Sequence, residues 1–275
     1  MSDIKILALD LDGTLFTSEK TVTDANKAAL KAAREKGVKV VITTGRPLKA
    51  IGNLLEELDL VSDTDYSITF NGGLVQKNTG HILEKRSLSL TDVKTIHREL
   101  DSIGLPTDIL SDGTVYSIPS SEGRHSQYHL ANPLLTFIEI NDIEELKQDI
   151  VYNKIVTVTD ATYLDQQLAK ANQDLFVNYE AFKSRDIIFE VMPKGIDKAF
   201  GLNLLCQHLG FEEKNVMAMG DEANDLSMLK WAGLGVAMAN AVAEVKLVAD
   251  QVTTSTNDQS GVAQAIHKYI LREEG

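Results

Sequence analysis

The sequence has a single cysteine, Cys206, which excludes an internal disulfide and fits a reducing compartment, so a cytoplasmic location is expected. Basic residues are in deficit: 27 Lys plus Arg stand against 40 Asp plus Glu, a net charge of −13, and no long Lys/Arg cluster interrupts it. Such a surface repels polyanions, which argues against nucleic acid and anionic membranes as partners. The chain has no run of about 18 uninterrupted apolar residues, the length a membrane-spanning helix needs. Near the N-terminus, Ile6-Leu7-Ala8-Leu9 follows Lys5, but Asp10 and Asp12 break the run before a signal peptide could form. With 18 glycines and 5 prolines, the chain has too few of either for a disordered or fibrous protein.

What is present is enough for a real core: 275 residues, 43% of them apolar, a length that fits two domains or one large one. Short apolar runs at Ile4 to Leu9, Val38 to Thr43 and Tyr66 to Phe70 alternate with helical stretches. One helix is expected from Ala25 to Lys36, capped by Thr23 and stopped by Gly37; another opens at Pro47 and carries Ile51, Leu54, Leu55 and Leu58. This β-α-β-α-β rhythm predicts a parallel sheet with covering helices. From about Gly72 it gives way to hairpins at Asn78-Thr79-Gly80 and Asp112-Gly113. Strands are then expected at Val115 to Ile118, Ile155 to Val158, Leu175 to Asn178 and Ile187 to Val191, with helices at Thr91 to Ser102 and Tyr163 to Lys170. After Pro193 the parallel rhythm returns: a helix from Lys198 to Leu209, a strand from Val216 to Met219, a helix from Asn224 to Ala232, and short runs at Gly235 to Met238 and Val248 to Val252. The expected organisation is a core of residues 1–83 plus 194–275, interrupted by an α+β domain of residues 84–193.

The polar residues gather where an open parallel sheet binds ligands, beyond the carboxyl ends of its strands. Asp10 and Asp12 follow the first strand, and Gly220-Asp221-Glu222-Ala223-Asn224-Asp225 follows a later one. Four carboxylates at strand ends form a hard-oxygen site suited to Mg²⁺, and the scarcity of clustered His or Cys argues against zinc. An EF-hand is excluded because its loop would need Gly and Glu where Leu15 and Thr21 stand. His125 and His129, four apart without the Glu of a zinc-hydrolase motif, read as a polar face. Thr43-Thr44-Gly45-Arg46-Pro47 offers a hydroxyl and a helix start to an anion; a Thr cap with a Gly turn is compatible with this and is the better reading of the motif taken alone. Lys198 by itself reads as a solvated ammonium.

In chain order, Asp10-Leu11-Asp12-Gly13-Thr14, Thr44-Gly45-Arg46, Lys198 and Gly220-Asp221-Glu222-Ala223-Asn224-Asp225 resemble the four motifs of the haloacid dehalogenase-like (HAD) phosphatase superfamily. Asn71-Gly72-Gly73, Glu190-Val191-Met192-Pro193 and Gly261-Val262-Ala263 look like its Cof-type branch, subfamily IIB, and most like the YidA-type sugar phosphatases. The resemblance implies an α/β fold, with a Rossmann-like parallel-sheet core and an inserted α+β cap of the C2 type. It also implies an Mg²⁺-dependent phosphatase acting on small phosphorylated metabolites such as sugar phosphates.

Under that resemblance Asp10 is the nucleophile and Asp12 the acid and then the base. Thr44, Gly45, Lys198 and Asn224 bind phosphate. Asp10, Asp12 through its carbonyl, and Asp221 hold the metal, with Asp225 in support. An aspartate ionised at neutral pH needs no base to activate it. A phosphomutase of the same superfamily and a non-catalytic phospho-ligand sensor are the alternatives. Ala199 after the motif lysine, Gly73 after Asn-Gly, and Ser260 before Gly261-Val262 depart from the usual pattern without removing a functional atom. In the insert, Arg124, His125, Tyr128 and Arg185 read as surface residues, and the sequence leaves the oligomeric state open.

Overall fold

The computed structural model describes residues 3–272; the extremes of the expected core, 1–2 and 273–275, lie outside the described residues. The chain folds as two compact units. The first runs through Gly45, then takes up Asn53–Lys85 and the chain from Asp197 on; the second comprises Arg46–Gly52 and Arg86–Ile196.

The first unit is built on an eight-stranded sheet. At its centre Ile6–Leu9 pairs in parallel with Val216–Gly220 on one side and Lys39–Thr43 on the other, in the registers Ile6 to Val216 and Ile6 to Lys39. Leu234–Ala237 and Gln251–Val252 extend the first side in parallel. Tyr66–Thr69 extends the second in parallel, and the antiparallel Leu74–Lys77 and Ile82–Lys85 finish it. Every residue of Ile6–Leu9 and Val216–Gly220 is buried, which is why these strands read as unbroken apolar runs: helices cover both faces of a parallel sheet.

Asp24–Glu35 is a helix because the Thr23 hydroxyl accepts from the Asn26 N–H and because its Ala29, Leu30 and Ala33 turn inward. Lys198–Leu209 is capped by the Asp197 carboxylate, which accepts from the Phe200 N–H at 2.8 Å, and ends at Gly210 in the left-handed conformation. The helix expected after Pro47 is broken. Leu48–Ile51 is a single 3₁₀ turn and Leu54–Glu57 a single α turn, with Gly52 at φ 59° between them.

The second unit has a six-stranded sheet in the spatial order Tyr179–Arg185, Ile188–Pro193, Lys154–Val158, Thr107–Ser111, Thr114–Ile118, Thr136–Glu139. All its pairings are antiparallel except the last, which is parallel. Asp112-Gly113 makes the two-residue turn of the Thr107–Ser111 hairpin, with Asp112 at φ 48°. Helices Leu90–Ser102, Ala161–Leu168 and Gln173–Asn178 lay Val93, Ile96, Leu100, Leu164 and Leu175 on the sheet face that carries Ile109, Ile155, Phe189 and Val191.

The strand expected at Leu175 to Asn178 is therefore a helix. The Asn172 side chain accepts from the Asp174 N–H at 3.0 Å and starts it, and Leu175 is buried while Val177 is exposed. Three apolar residues followed by Asn178 have no periodicity that separates the two structures. The alternate face of this sheet includes a buried ion pair, Lys154 with Glu190, to which the Ser184 hydroxyl donates at 2.7 Å.

Candidate active site

Asp10 is the first residue past Ile6–Leu9 and Asp221 the first past Val216–Gly220, so the parallel pairing of these two strands sets the two carboxylates side by side. Asp225 joins them from the 3₁₀ turn Ala223–Asp225. One carboxylate oxygen from each of Asp10, Asp221 and Asp225 lies within 4.8 Å of the others, and all three residues are buried. Lys198, fully buried in the first turn of its helix, donates from Nζ to Asp10 Oδ1 and Asp225 Oδ1, each at 2.5 Å. Asp225 Oδ2 also accepts the backbone N–H of Asp221 at 2.9 Å and of Glu222 at 3.1 Å, closing the turn onto its own side chain.

Gly13 allows the approach of Asp221. Its φ is 85°, and a Cβ there would stand 2.1 Å from Asp221 Oδ2. Its neighbour Thr14 donates from Oγ1 to Asp221 Oδ1 at 2.7 Å.

Burial pushes the Asp10 carboxyl up to about 7; Lys198 pulls it down, and Asp225 and Asp12 push it further up. Asp221 is raised to about 8, chiefly by burial and then by the charges of Asp10 and Asp225, with the Thr14 hydroxyl opposing. For Lys198 burial disfavours the ammonium, but Asp10 and Asp225 outweigh it and hold the lysine above its ordinary range. Ionisation of Asp10 at neutral pH is thus not automatic, as expected from sequence, but depends on the cations beside it. The surplus of buried carboxylates over the single lysine, all hard oxygens, fits a divalent cation of the magnesium type.

Thr44 and Gly45 lie at the end of Lys39–Thr43, both in the first unit. The Thr44 N–H donates to the Ile68 carbonyl at 2.9 Å, and a 3₁₀ turn begins only at Leu48, so no helix N-terminus stands behind this loop. Asn224 donates from Nδ2 to Asn71 Oδ1 at 3.1 Å. Asp12 is turned to the Thr17–Thr21 turn, where Lys20 donates to its Oδ1 at 2.6 Å.

Sequence reasoning assigned no role to Asn71, which ties these pieces together. Its N–H donates to the Thr44 carbonyl at 3.0 Å, its side chain meets Asn224, and a Cβ on Gly45 would stand 2.9 Å from its Oδ1. Phe70 and Asn71 both adopt positive φ, of 51° and 52°, followed by Gly72 at 101°. A Cβ on Gly72 would stand 1.9 Å from the Asp197 carbonyl oxygen, next to the helix that carries Lys198. The signal was the Asn-Gly pair of the triplet, since Asn and Gly take positive φ most readily, whereas Phe70 gives none.

The family model described as haloacid dehalogenase-like hydrolase matches residues 7–266. The 5-amino-6-(5-phospho-D-ribitylamino)uracil phosphatase YcsE of Bacillus subtilis is 34% identical over 269 residues, covering 98% of this chain and 97% of the relative. A haloacid dehalogenase-like hydrolase from Bacteroides thetaiotaomicron has the same fold with a TM-score of 0.81 at 30% identity, over 97% of this chain and 99% of that one. The subclass IIB sugar phosphatase BT4131 matches with a TM-score of 0.81 at 26% identity, over 96% and 98%. The chain belongs to the haloacid dehalogenase-like hydrolase family and is a phosphoric monoester hydrolase.

Proposed function

We propose that this protein is an Mg²⁺-dependent phosphatase that hydrolyses small phosphorylated metabolites, sugar phosphates foremost, through an aspartyl-phosphate on Asp10. The observation that carries this reading is the buried cluster of Asp10, Asp221 and Asp225, bridged by the ammonium of Lys198. Two relatives support the substrate class by their names, one a sugar phosphatase and the other a phosphatase of a ribityl phosphate. Both names describe monoesters of a hydroxyl-rich carbon chain.

Asp10, Asp221 and the Asp12 carbonyl would hold the cation, with Asp225 fixed in support by Lys198 and two backbone N–H groups. When bound, it supplies positive charge against the phosphoryl oxygens and the carboxylates.

In the first step an Asp10 carboxylate oxygen attacks phosphorus, the bond from phosphorus to the ester oxygen breaks, and Asp12 gives its proton to the departing alkoxide. In the second, water attacks phosphorus and Asp12 takes a proton from it. The bond between phosphorus and the Asp10 oxygen breaks, releasing inorganic phosphate. Thr44, Gly45, Lys198 and Asn224 hold the phosphoryl oxygens, which is the positioning and electrostatic contribution that dominates phosphoryl transfer.

The test is phosphate release from p-nitrophenyl phosphate and hexose phosphates with Mg²⁺, with chelator, and in Asp10→Asn. Release that survives both chelator and Asp10→Asn would refute the assignment. With glucose 1-phosphate, free glucose is the expected product; the 6-phosphate isomer would make the enzyme a mutase instead.

A further inference from the structure

The second unit contains a cavity of about 370 Å³ lined by its own residues, a volume in the range of small-molecule sites. Its lining includes Ser117, Ser126, His125, His129, Phe137 and Glu139. These residues come from the strand Thr114–Ile118, the strand Thr136–Glu139 parallel to it, and the connection between them.

Register explains the convergence. Ser117 and Glu139 are direct cross-strand partners, as are Ser117 and Asp108, so one row of the sheet sets a hydroxyl between two carboxyl groups. The connection then folds back: the His125 ring nitrogen Nδ1 lies 3.7 Å from Glu139, and the His129 ring meets Phe137 edge to face at 6.1 Å.

Behind the lining, Asp108 is 2% exposed. The Ser117 hydroxyl donates to its Oδ1 at 2.5 Å, while its Oδ2 is buried without a hydrogen-bond partner among the described residues. A polar network left incomplete in this way is costly unless a further group completes it. Burial pushes the Asp108 carboxyl above its ordinary range, with the Ser117 and Ser126 hydroxyls and His129 opposing.

The chemistry of the lining selects its ligand. Hydroxyls, imidazoles and a carboxylate match the alternating donors and acceptors of a polyol, and an aromatic ring offers a face for its C–H groups. Neither Lys nor Arg is among the described lining residues, and Arg124, adjacent to His125, stacks its guanidinium over the Tyr163 ring at 3.6 Å. With Glu139 as the fixed charge, a phosphate or carboxylate would meet repulsion, while an ammonium would meet a partner.

We infer that this cavity is a binding site for a small hydroxyl-rich molecule, neutral or amine-bearing, and that it rejects anions. Glucosamine, glucose and gluconate share a carbon skeleton and differ in charge, so they are the probes. The full chain carries six histidines, and their ring signals can be followed by ¹H–¹³C NMR while each probe is titrated in the presence of Mg²⁺.

Glucosamine is expected to shift the His125 and His129 signals saturably, glucose more weakly, and gluconate not at all. Glu139→Gln should weaken glucosamine up to about fivefold, the range of a partly exposed charge pair. His129→Ala should weaken all binding, and Asp10→Asn should leave it unchanged. Thermal unfolding of each variant separates lost binding from lost structure. The inference is overturned if gluconate shifts the two rings as strongly as glucosamine, if folded Glu139→Gln and His129→Ala bind glucosamine like the parent, or if no probe moves either ring.

Discussion

Replacing Lys198 by Met tests how the buried carboxylates are tolerated. Lys198 is fully buried and makes two contacts of 2.5 Å to carboxylates that are themselves buried. Met retains most of the stem and removes only the ammonium, so the change is electrostatic rather than a cavity. Removing one partner of a buried ion pair costs about 3–5 kcal/mol, because the charge left behind is neither solvated nor paired.

The cost should depend on pH. Lys198 opposes the burial that raises Asp10, so its loss raises Asp10 further. At about pH 5.5 Asp10 is largely protonated with or without the lysine, and the penalty shrinks; at about pH 8 it is full. Lys198 itself, held above its ordinary range, stays charged throughout this window and contributes its full share.

Mg²⁺ should recover part of the loss, since a ligand of the folded state stabilises by mass action. Trp231 is the chain's one tryptophan and ends the helix Leu226–Trp231 in the first unit, so its fluorescence during urea unfolding reports that unit. The expected result is a loss of about 3–5 kcal/mol at about pH 8 in chelator, a smaller loss at about pH 5.5, and a smaller loss with Mg²⁺. A loss below about 1 kcal/mol at about pH 8 in chelator, or one that grows as pH falls, would refute the reasoning.

Asp10→Asn should keep the fold and lose turnover by roughly 10⁴-fold or more, the scale on which removal of a covalent nucleophile acts; steady-state phosphate release measures it. Gly13→Ala should destabilise the first unit by about 2 kcal/mol or more in the same urea assay, because a side chain at φ 85° is strained and its Cβ would strike Asp221 Oδ2. In the metal-free protein Asp10 and Asp221 keep their protons to about 7 and about 8, above the ordinary 3.8. The folded state therefore binds more protons than the unfolded one between about pH 4 and pH 8, and its stability declines as pH rises through that window. Mg²⁺ must displace those protons; its affinity by calorimetry should climb from about pH 6 to about pH 8 with proton release, and an affinity flat in pH would contradict the shifts.

Most of the parallel core was legible because a strand buried on both faces cannot hide its apolar run, and Thr23, Gly37 and Gly210 mark helix ends by their own conformational chemistry. Leu175 to Asn178 was not legible, since three apolar residues in a row fit either period. The strand Thr136–Glu139 was missed for the opposite reason: three of its four residues are exposed, so no alternation points inward. At the site, the proximity of Asp10 and Asp221 follows from strand ends, and adjacent strands put them together. The bridging role of Lys198 could not be read from one lysine, because it is made across the chain, nor could the Lys20 contact to Asp12, because the turn that joins them and not the spacing decides it. Asn71 acts through backbone geometry that its triplet hints at without specifying.

The site is also a clock on synthesis. Thr14 and Asp221, joined by a hydrogen bond, stand 207 positions apart in the chain, and the Ile6–Leu9 strand meets Val216–Gly220 only after the intervening unit has been made. The Lys39–Thr43 neighbour is made soon after the first strand, but the ribosome must translate the whole intervening unit before Val216–Gly220 can pair on the other side, while the strand pairings of the second unit are far more local. The second unit can thus condense before that long-range pairing closes. The nascent chain therefore carries Asp10 without the carboxylates that make it part of a site until Asp221 and Asp225 have been made and their strand has docked.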